Sequence, residues 1–259
     1  MGKKSAQSTR YYQTYEDDFA ETADQDLTLP ASYQWIHKSK GYQLYSKMIF
    51  GLGWLFSWIY CRLFLHTHVK NKKVLRQAKG KGIFLYGNHT QEIGDAFLPV
   101  QACPSRRIYV VVSPSNLGIP VIGKILPALG ALPIPDNISQ MREFVQAISQ
   151  RIQEHAAVVI YPEAHVWQYC NFIRPFSDHA FQYPVQFNAP VYAMTTTYQK
   201  RRFSKKPKIT IYVDGPFTAD PTLSRKMQQK QLRDAVYQCM KNRSQNSTYA
   251  YISYEKGEI

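Results

Sequence analysis

From residue 80 onward, short apolar runs alternate with segments of helical period, and this alternation confines the chain to a sheet covered by helices. Ile83-Phe84-Leu85-Tyr86 and Ala156-Ala157-Val158-Val159-Ile160 carry no charge at either alternate position, as a strand buried on both faces requires. Strands are predicted at 83–86, 108–113, 157–161, 190–197 and 208–214, and helices at 95–102, 120–129, 138–155 and 222–242. In the 138–155 segment Met141, Phe144, Val145, Ile148 and Ile152 recur at helical spacing, with Asp136 or Asn137 available as the cap. The expected fold class is α/β, a mixed central sheet covered by helices, preceded by an aromatic-rich, membrane-associated helical segment.

The chain divides into three parts by composition. Residues 1–32 are polar and carry three basic and six acidic side chains, which suits an extended, acidic lead. Residues 33–79 mix basic and aromatic side chains (Trp35, His37, Lys38, Lys40, Tyr42, Tyr45, Lys47) and contain the apolar run Met48–Leu65. As a helix, that run rises about 27 Å, just short of a hydrocarbon core of about 30 Å. Arg62, Ser57 and two glycines interrupt it, and lysines flank both ends, so the charge rule selects no orientation. A helix lying in the interface, or dipping into one leaflet and returning, fits better than a span; a buried core helix is the alternative. The expected location is the cytoplasmic face of a membrane. Residues 80–259 form the α/β domain.

The chemistry concentrates after the first strand, in Gly87-Asn88-His89-Thr90-Gln91-Glu92-Ile93-Gly94-Asp95. A histidine and a carboxylate delivered by one strand-to-helix turn are what hydroxyl activation needs. The imidazole takes the proton; the carboxylate fixes its tautomer and stabilises the imidazolium. Backbone N–H groups of the same turn are candidate donors to an oxyanion.

Three further blocks follow in order: Gly118-Ile119-Pro120-Val121-Ile122-Gly123 running to Gly130-Ala131-Leu132-Pro133-Ile134-Pro135, then Tyr161-Pro162-Glu163-Ala164-His165, then Ala189-Pro190-Val191-Tyr192-Ala193-Met194. Over roughly residues 80 to 200, the order and spacing resemble the glycerolipid acyltransferases of the lysophosphatidic-acid acyltransferase type. The resemblance implies direct transfer of a fatty acyl group from acyl-CoA or acyl carrier protein to the hydroxyl of a lysophospholipid acceptor. It also implies His89 as the base, Asp95 as its partner, and Glu163 at the acceptor's polar head. Ile119, Val121, Ile122 and Leu126 are candidates for an acyl-chain site. No cofactor and no metal are implied.

Three departures from the family pattern shape the expectations. His89 and Asp95 are separated by five residues where the family has four, so either the turn carries an extra residue as a bulge or Glu92 does the orienting. The arginines that the family places at the end of the second and third blocks are absent here, where Asp136 and Val166 stand. A substrate phosphate would therefore meet another cation, Arg174 first and Arg142 second. Asn88, Glu163, His165, Arg174 and Arg142 are the expected substrate-binding residues.

The net charge of +14 is uneven: the first 32 residues are net −3 and the remainder +17, which points to an anionic partner such as a membrane surface. The basic run Lys200-Arg201-Arg202-Phe203-Ser204-Lys205-Lys206-Pro207-Lys208 lies between two predicted strands, as a loop suited to anionic headgroups. No nucleic acid is expected, since the stacking motifs of RNA-binding sheets are absent. Four scattered cysteines without ligand spacing read as reduced thiols, and Met1-Gly2-Lys3-Lys4 opens no secretory leader. Two rivals stand beside the acyltransferase. One is a metal-dependent hydrolase using His89, Glu92, Asp95, Glu163 and His165. The other is a catalytically degenerate lipid- or nucleic-acid-binding protein of the same fold.

Overall fold

The structure, a computed structural model, describes residues 8–19 and 27–257. In chain order the elements are β1 (Ser8–Tyr12), α1 (Lys40–Leu63), β2 (His68–Lys70), β3 (Ile83–Gly87), α2 (Leu98–Ala102), β4 (Ile108–Val112), α3 (Ile122–Leu129), β5 (Ala131–Pro133), α4 (Ile138–Gln153), β6 (Ala157–Ile160), α5 (Gln182–Phe187), β7 (Val191–Gln199), β8 (Lys208–Phe217), α6 (Arg225–Ser244) and β9 (Ile252–Lys256).

Seven strands form one sheet in the order β2-β8-β7-β3-β6-β4-β5. All neighbours pair in parallel except β7 and β8, so the sheet is mixed, as expected. β3 lies at its centre, between β6 and β7, and every one of its residues is buried. Phe84 and Tyr86 point into one core with Phe144, Ile148 and Val236 from α4 and α6. Ile83 and Leu85 point into the other with Cys61 of α1 and Leu98 and Val100 of α2. Two covered faces explain why the strand shows no polar alternation. Burying each large apolar side chain such as Phe144 or Ile148 contributes roughly 1.5–3 kcal/mol.

α1 begins at Lys40, eight residues ahead of the apolar run, because Ser39 accepts from the Tyr42 N–H at 3.5 Å and caps the helix. Only Ser57 and Cys61 are buried on it. Leu44, Met48, Leu52, Leu55, Ile59 and Leu63, at spacings of three and four, form an exposed stripe on the opposite side. The helix is therefore not a core helix. Among the described residues no helix is long and apolar enough to cross a membrane. Gly53 sets how closely α1 approaches α3: a Cβ there would stand 2.6 Å from Leu129 Cδ2.

Two segments upstream of residue 80 pair with strands downstream of it. β2 pairs with β8 inside the main sheet, and β1 pairs in parallel with β9 as a second, two-stranded sheet. The lead is held by aromatic contacts: Tyr12 lies 4.9 Å from Trp167 and Phe19 lies 5.2 Å from it, centroid to centroid. Residues 1–7 and 20–26 of the expected lead lie outside the described residues. β2 and β5 have three residues each, too few to show a period in sequence, and backbone pairing defines them.

Candidate active site

His89 follows the C-terminal end of β3, and Tyr161 and Glu163 follow the C-terminal end of neighbouring β6, so one end of the parallel strands gathers the chemistry. Asn88 is buried and turned toward β7. Its side-chain amide donates to the Thr196 carbonyl at 3.1 Å and its oxygen accepts from the Thr196 N–H at 2.7 Å, so it extends the pairing of β3 with β7. The turn that follows is anchored by the 167–169 segment, where the Trp167 and Tyr169 N–H groups donate to the carbonyls of His89 (3.0 Å) and Thr90 (2.9 Å).

Asp95, buried, holds the histidine. Its Oδ2 lies 2.8 Å from His89 Nδ1 and also accepts from the backbone N–H groups of Thr90 (2.8 Å) and Gln91 (2.9 Å). A carboxylate can only accept, so Nδ1 carries the hydrogen and Nε2 is the basic nitrogen. The His89 side chain is 21 % exposed, enough for a reactant to reach it. The extra residue between His89 and Asp95 is absorbed by a wide turn in which the Asp95 N–H donates to the Gln91 carbonyl at 3.0 Å. Glu92 is thereby pushed outward to Gln168, which donates to it, so it is not the orienting carboxylate. The N–H groups of His89, Thr90 and Gln91 are all committed internally, and the oxyanion donors expected from this part of the turn are not available.

Tyr161 completes the arrangement, though the sequence reading assigned it no role. Its ring stacks on the His89 imidazole with centroids 4.6 Å apart, and its hydroxyl donates to the Asp95 carbonyl at 2.6 Å. Burial, and then the charge of Asp95, push its phenol well above the ordinary tyrosine range, so it stays a neutral donor. Gly87 makes room for it, because a Cβ there would lie 2.6 Å from Tyr161 Cε1 and 3.1 Å from Met194 Cε. Gly87→Ala is expected to displace that ring and lower kcat by about tenfold, an overpacking cost within the usual range. Steady-state kinetics beside a melting curve would check this; wild-type kcat and Tm together would show that Tyr161 does not position the histidine.

Glu163 and Arg174 form a buried pair, with both side chains 1 % exposed and Arg174 Nη2 3.2 Å from Glu163 Oε2. Glu163 also accepts from the backbone N–H groups of His89 (3.0 Å) and Arg174 (2.8 Å). Arg174 further donates to the carbonyls of Tyr15 and His165 and stacks on Trp167, its Cζ 4.7 Å from the ring centroid. The guanidinium, expected to meet a substrate phosphate, is thus enclosed by its own chain. Glu163 likewise presents no oxygen to an acceptor head; it ties the histidine turn to the loop that carries Arg174. His165 meets Asp18 at 3.3 Å, and Arg142 stands exposed on α4. Of the acyl-chain candidates, Val121 is 80 % exposed, Ile119 and Ile122 are exposed beside it, and Leu126 is half-buried, with α3 packed against α1.

The five ligands of a hydrolase metal do not converge, since Glu163 faces Arg174, His165 faces Asp18 and Glu92 faces Gln168. Among the described residues no three such side chains come together as a metal site. Cys170, close to the Glu163–Arg174 pair, has its thiol pushed up to about 12 by burial and then by the Glu163 charge, which leaves it a poor nucleophile at neutral pH.

The sequence from 66 to 197 matches the Acyltransferase family model. Comparison with curated proteins yields no match. Among solved structures, the chain is similar to the 1-acyl-sn-glycerophosphate (LPA) acyltransferase PlsC from Thermotoga maritima, at 12 % identity and a TM-score of 0.55. The alignment covers 83 % of this chain and 87 % of that one, a likeness of fold across nearly the whole of both.

Proposed function

This chain belongs to the acyltransferase family, as its four ordered sequence blocks anticipated, and from that premise we propose that it is a membrane-associated O-acyltransferase. It moves a fatty acyl group from an acyl thioester to the hydroxyl of a lysophospholipid-type acceptor. The observation that carries this reading is the His89 Nδ1–Asp95 Oδ2 contact of 2.8 Å, which leaves Nε2 as the base at an accessible position.

In the step so supported, Nε2 removes the acceptor's hydroxyl proton as its oxygen attacks the thioester carbonyl. The new C–O bond forms and a tetrahedral oxyanion results. Its collapse breaks the C–S bond, and the imidazolium returns the proton to the departing thiolate. Asp95 opposes the imidazolium charge throughout. No nucleophilic side chain is required, consistent with the suppressed thiol of Cys170.

Two features support membrane attachment. The apolar stripe of α1 is exposed along the helix, with Trp58 and Phe56 beside it. The β7–β8 loop, 200–207, extends from the same end of the sheet as His89, because β7 runs parallel to β3. Its Lys200, Arg202, Lys205 and Lys206 are exposed, and Phe203 is 90 % exposed. Each basic side chain near an anionic surface contributes about 1 kcal/mol, and an aromatic among them reaches into the interface. With Arg174 enclosed, this loop is the cationic element at the reactive end of the sheet.

The test is transfer of label from acyl-CoA and from acyl carrier protein to lysolipids with and without a terminal phosphate, using membrane and supernatant fractions. Labelled diacyl product in the membrane fraction is the expected result. A fraction that binds lipid yet acylates no acceptor from either donor would sink the enzymatic reading.

A further inference from the structure

A cavity of about 650 Å³ opens at the end of the sheet opposite to His89. Arg107 immediately precedes β4, at the end where β3, β6 and β4 begin, whereas His89 leaves the far end of β3. The wall of this groove is cationic: Arg106, Arg107, Arg151 and Lys47 line it, with Glu154 the one carboxylate among its lining residues. Glu154 is paired to Arg151 at 3.0 Å. Among the described residues the hydrogen-bond acceptors of Arg107 are neutral: the Ser46 carbonyl and hydroxyl and the Ala128 carbonyl. Arg106 likewise donates to the carbonyls of Ala78, Lys81 and His155.

The two inner cations share an aromatic neighbour. Arg107 and Arg151 both lie over one ring, their Cζ atoms 5.4 and 4.6 Å from the centroid of Tyr109. Each keeps its Nε–H buried with no acceptor among the described residues. Burial, with Arg151 among the further causes, holds the Arg107 guanidinium below the usual arginine range. Glu154 answers Arg151, but Arg106 and Arg107 have no carboxylate partner among the described residues, which favours an anion in the groove. Guanidinium forks match phosphate oxygens in pairs, and Lys47 adds a mobile point charge at the rim.

We propose that this groove is a second, non-catalytic site for a phosphate-bearing anion, either the headgroup of an anionic phospholipid or a free phosphate compound. The N-terminal half of α1 forms one wall through Ser46 and Phe50, on the side of the helix turned away from its exposed apolar stripe. The proposal rests on the groove alone and does not require acyl transfer.

Calorimetric titration of the full chain with inorganic phosphate and with dihexanoylphosphatidylglycerol tests it. One saturable site is expected, weakened about tenfold in Arg151→Gln and about threefold in Lys47→Gln, as loss of a charged contact predicts. Lys47 is exposed, so its replacement reads the site even where Arg151→Gln disturbs folding. Lys241→Gln, which removes the same charge from an exposed position on α6, is expected to change nothing. Equal binding of both probes identifies a free phosphate compound as the occupant, and binding of the lipid alone identifies a headgroup. Absence of saturable binding, or equal weakening by Lys241→Gln and the groove variants, would overturn the proposal.

Discussion

Replacing His89 with alanine is expected to lower kcat for acyl transfer by about a hundredfold to ten-thousandfold, the range of a positioned general base. The fold is expected to survive, because the imidazole is partly exposed and its backbone, not its ring, is what Glu163 and Trp167 hold. A thermal melt close to wild type beside the kinetic loss would establish the chemical role. Retention of kcat within tenfold would remove His89 from the mechanism. Asp95→Asn is the sharper companion. An amide oxygen in the place of Oδ2 can still accept from His89 Nδ1–H, Thr90 N–H and Gln91 N–H, so the tautomer and the turn persist. What disappears is the negative charge facing the imidazolium. The kcat of that variant is therefore expected to fall with KM little changed, and by less than in His89→Ala.

The His89–Asp95 contact was legible from sequence because it depends on local order: a buried strand, a turn, then a carboxylate on the next helical turn. Glu92 and Asp95 were not separable at that level, since the choice depends on how a five-residue spacing is folded. The structure decides it through the Asp95 N–H to Gln91 carbonyl bond, which swings Glu92 to the surface. Asn88, Glu163 and Arg174 illustrate the opposite limit. Their residue types suggest polar recognition, yet each is satisfied by partners far along the chain: Thr196 for Asn88, the His89 N–H for Glu163, and Tyr15 for Arg174. Tyr161 was in plain view at the head of its block, but only the pairing of β3 with β6 places its ring against His89. The five predicted strands emerged close to their bounds because both faces of the sheet are covered. β1 and β9 did not, because backbone pairing and aromatic packing on Trp167 hold them, not an apolar period.

Glu163→Ala is expected to destabilise the protein by about 3–5 kcal/mol, the usual cost of leaving one member of a buried ion pair without its partner. For a chain of this size that corresponds to a fall in Tm on the order of 10 °C. The magnitude follows from what remains: a guanidinium with 1 % side-chain exposure, its Nε–H already without an acceptor, and two backbone N–H groups that lose theirs. One of those N–H groups belongs to His89, so kcat is expected to fall with stability. Glu163→Gln keeps an acceptor oxygen and should lose less. In Glu163→Gln/Arg174→Met both charges are gone, and the loss should be smaller than the sum of the single variants. A residue that only contacted the acceptor's head would behave differently, raising KM while Tm stayed at its wild-type value. That pattern in Glu163→Ala would return Glu163 to the substrate and leave the Arg174 loop to be held by Trp167, Tyr15 and His165.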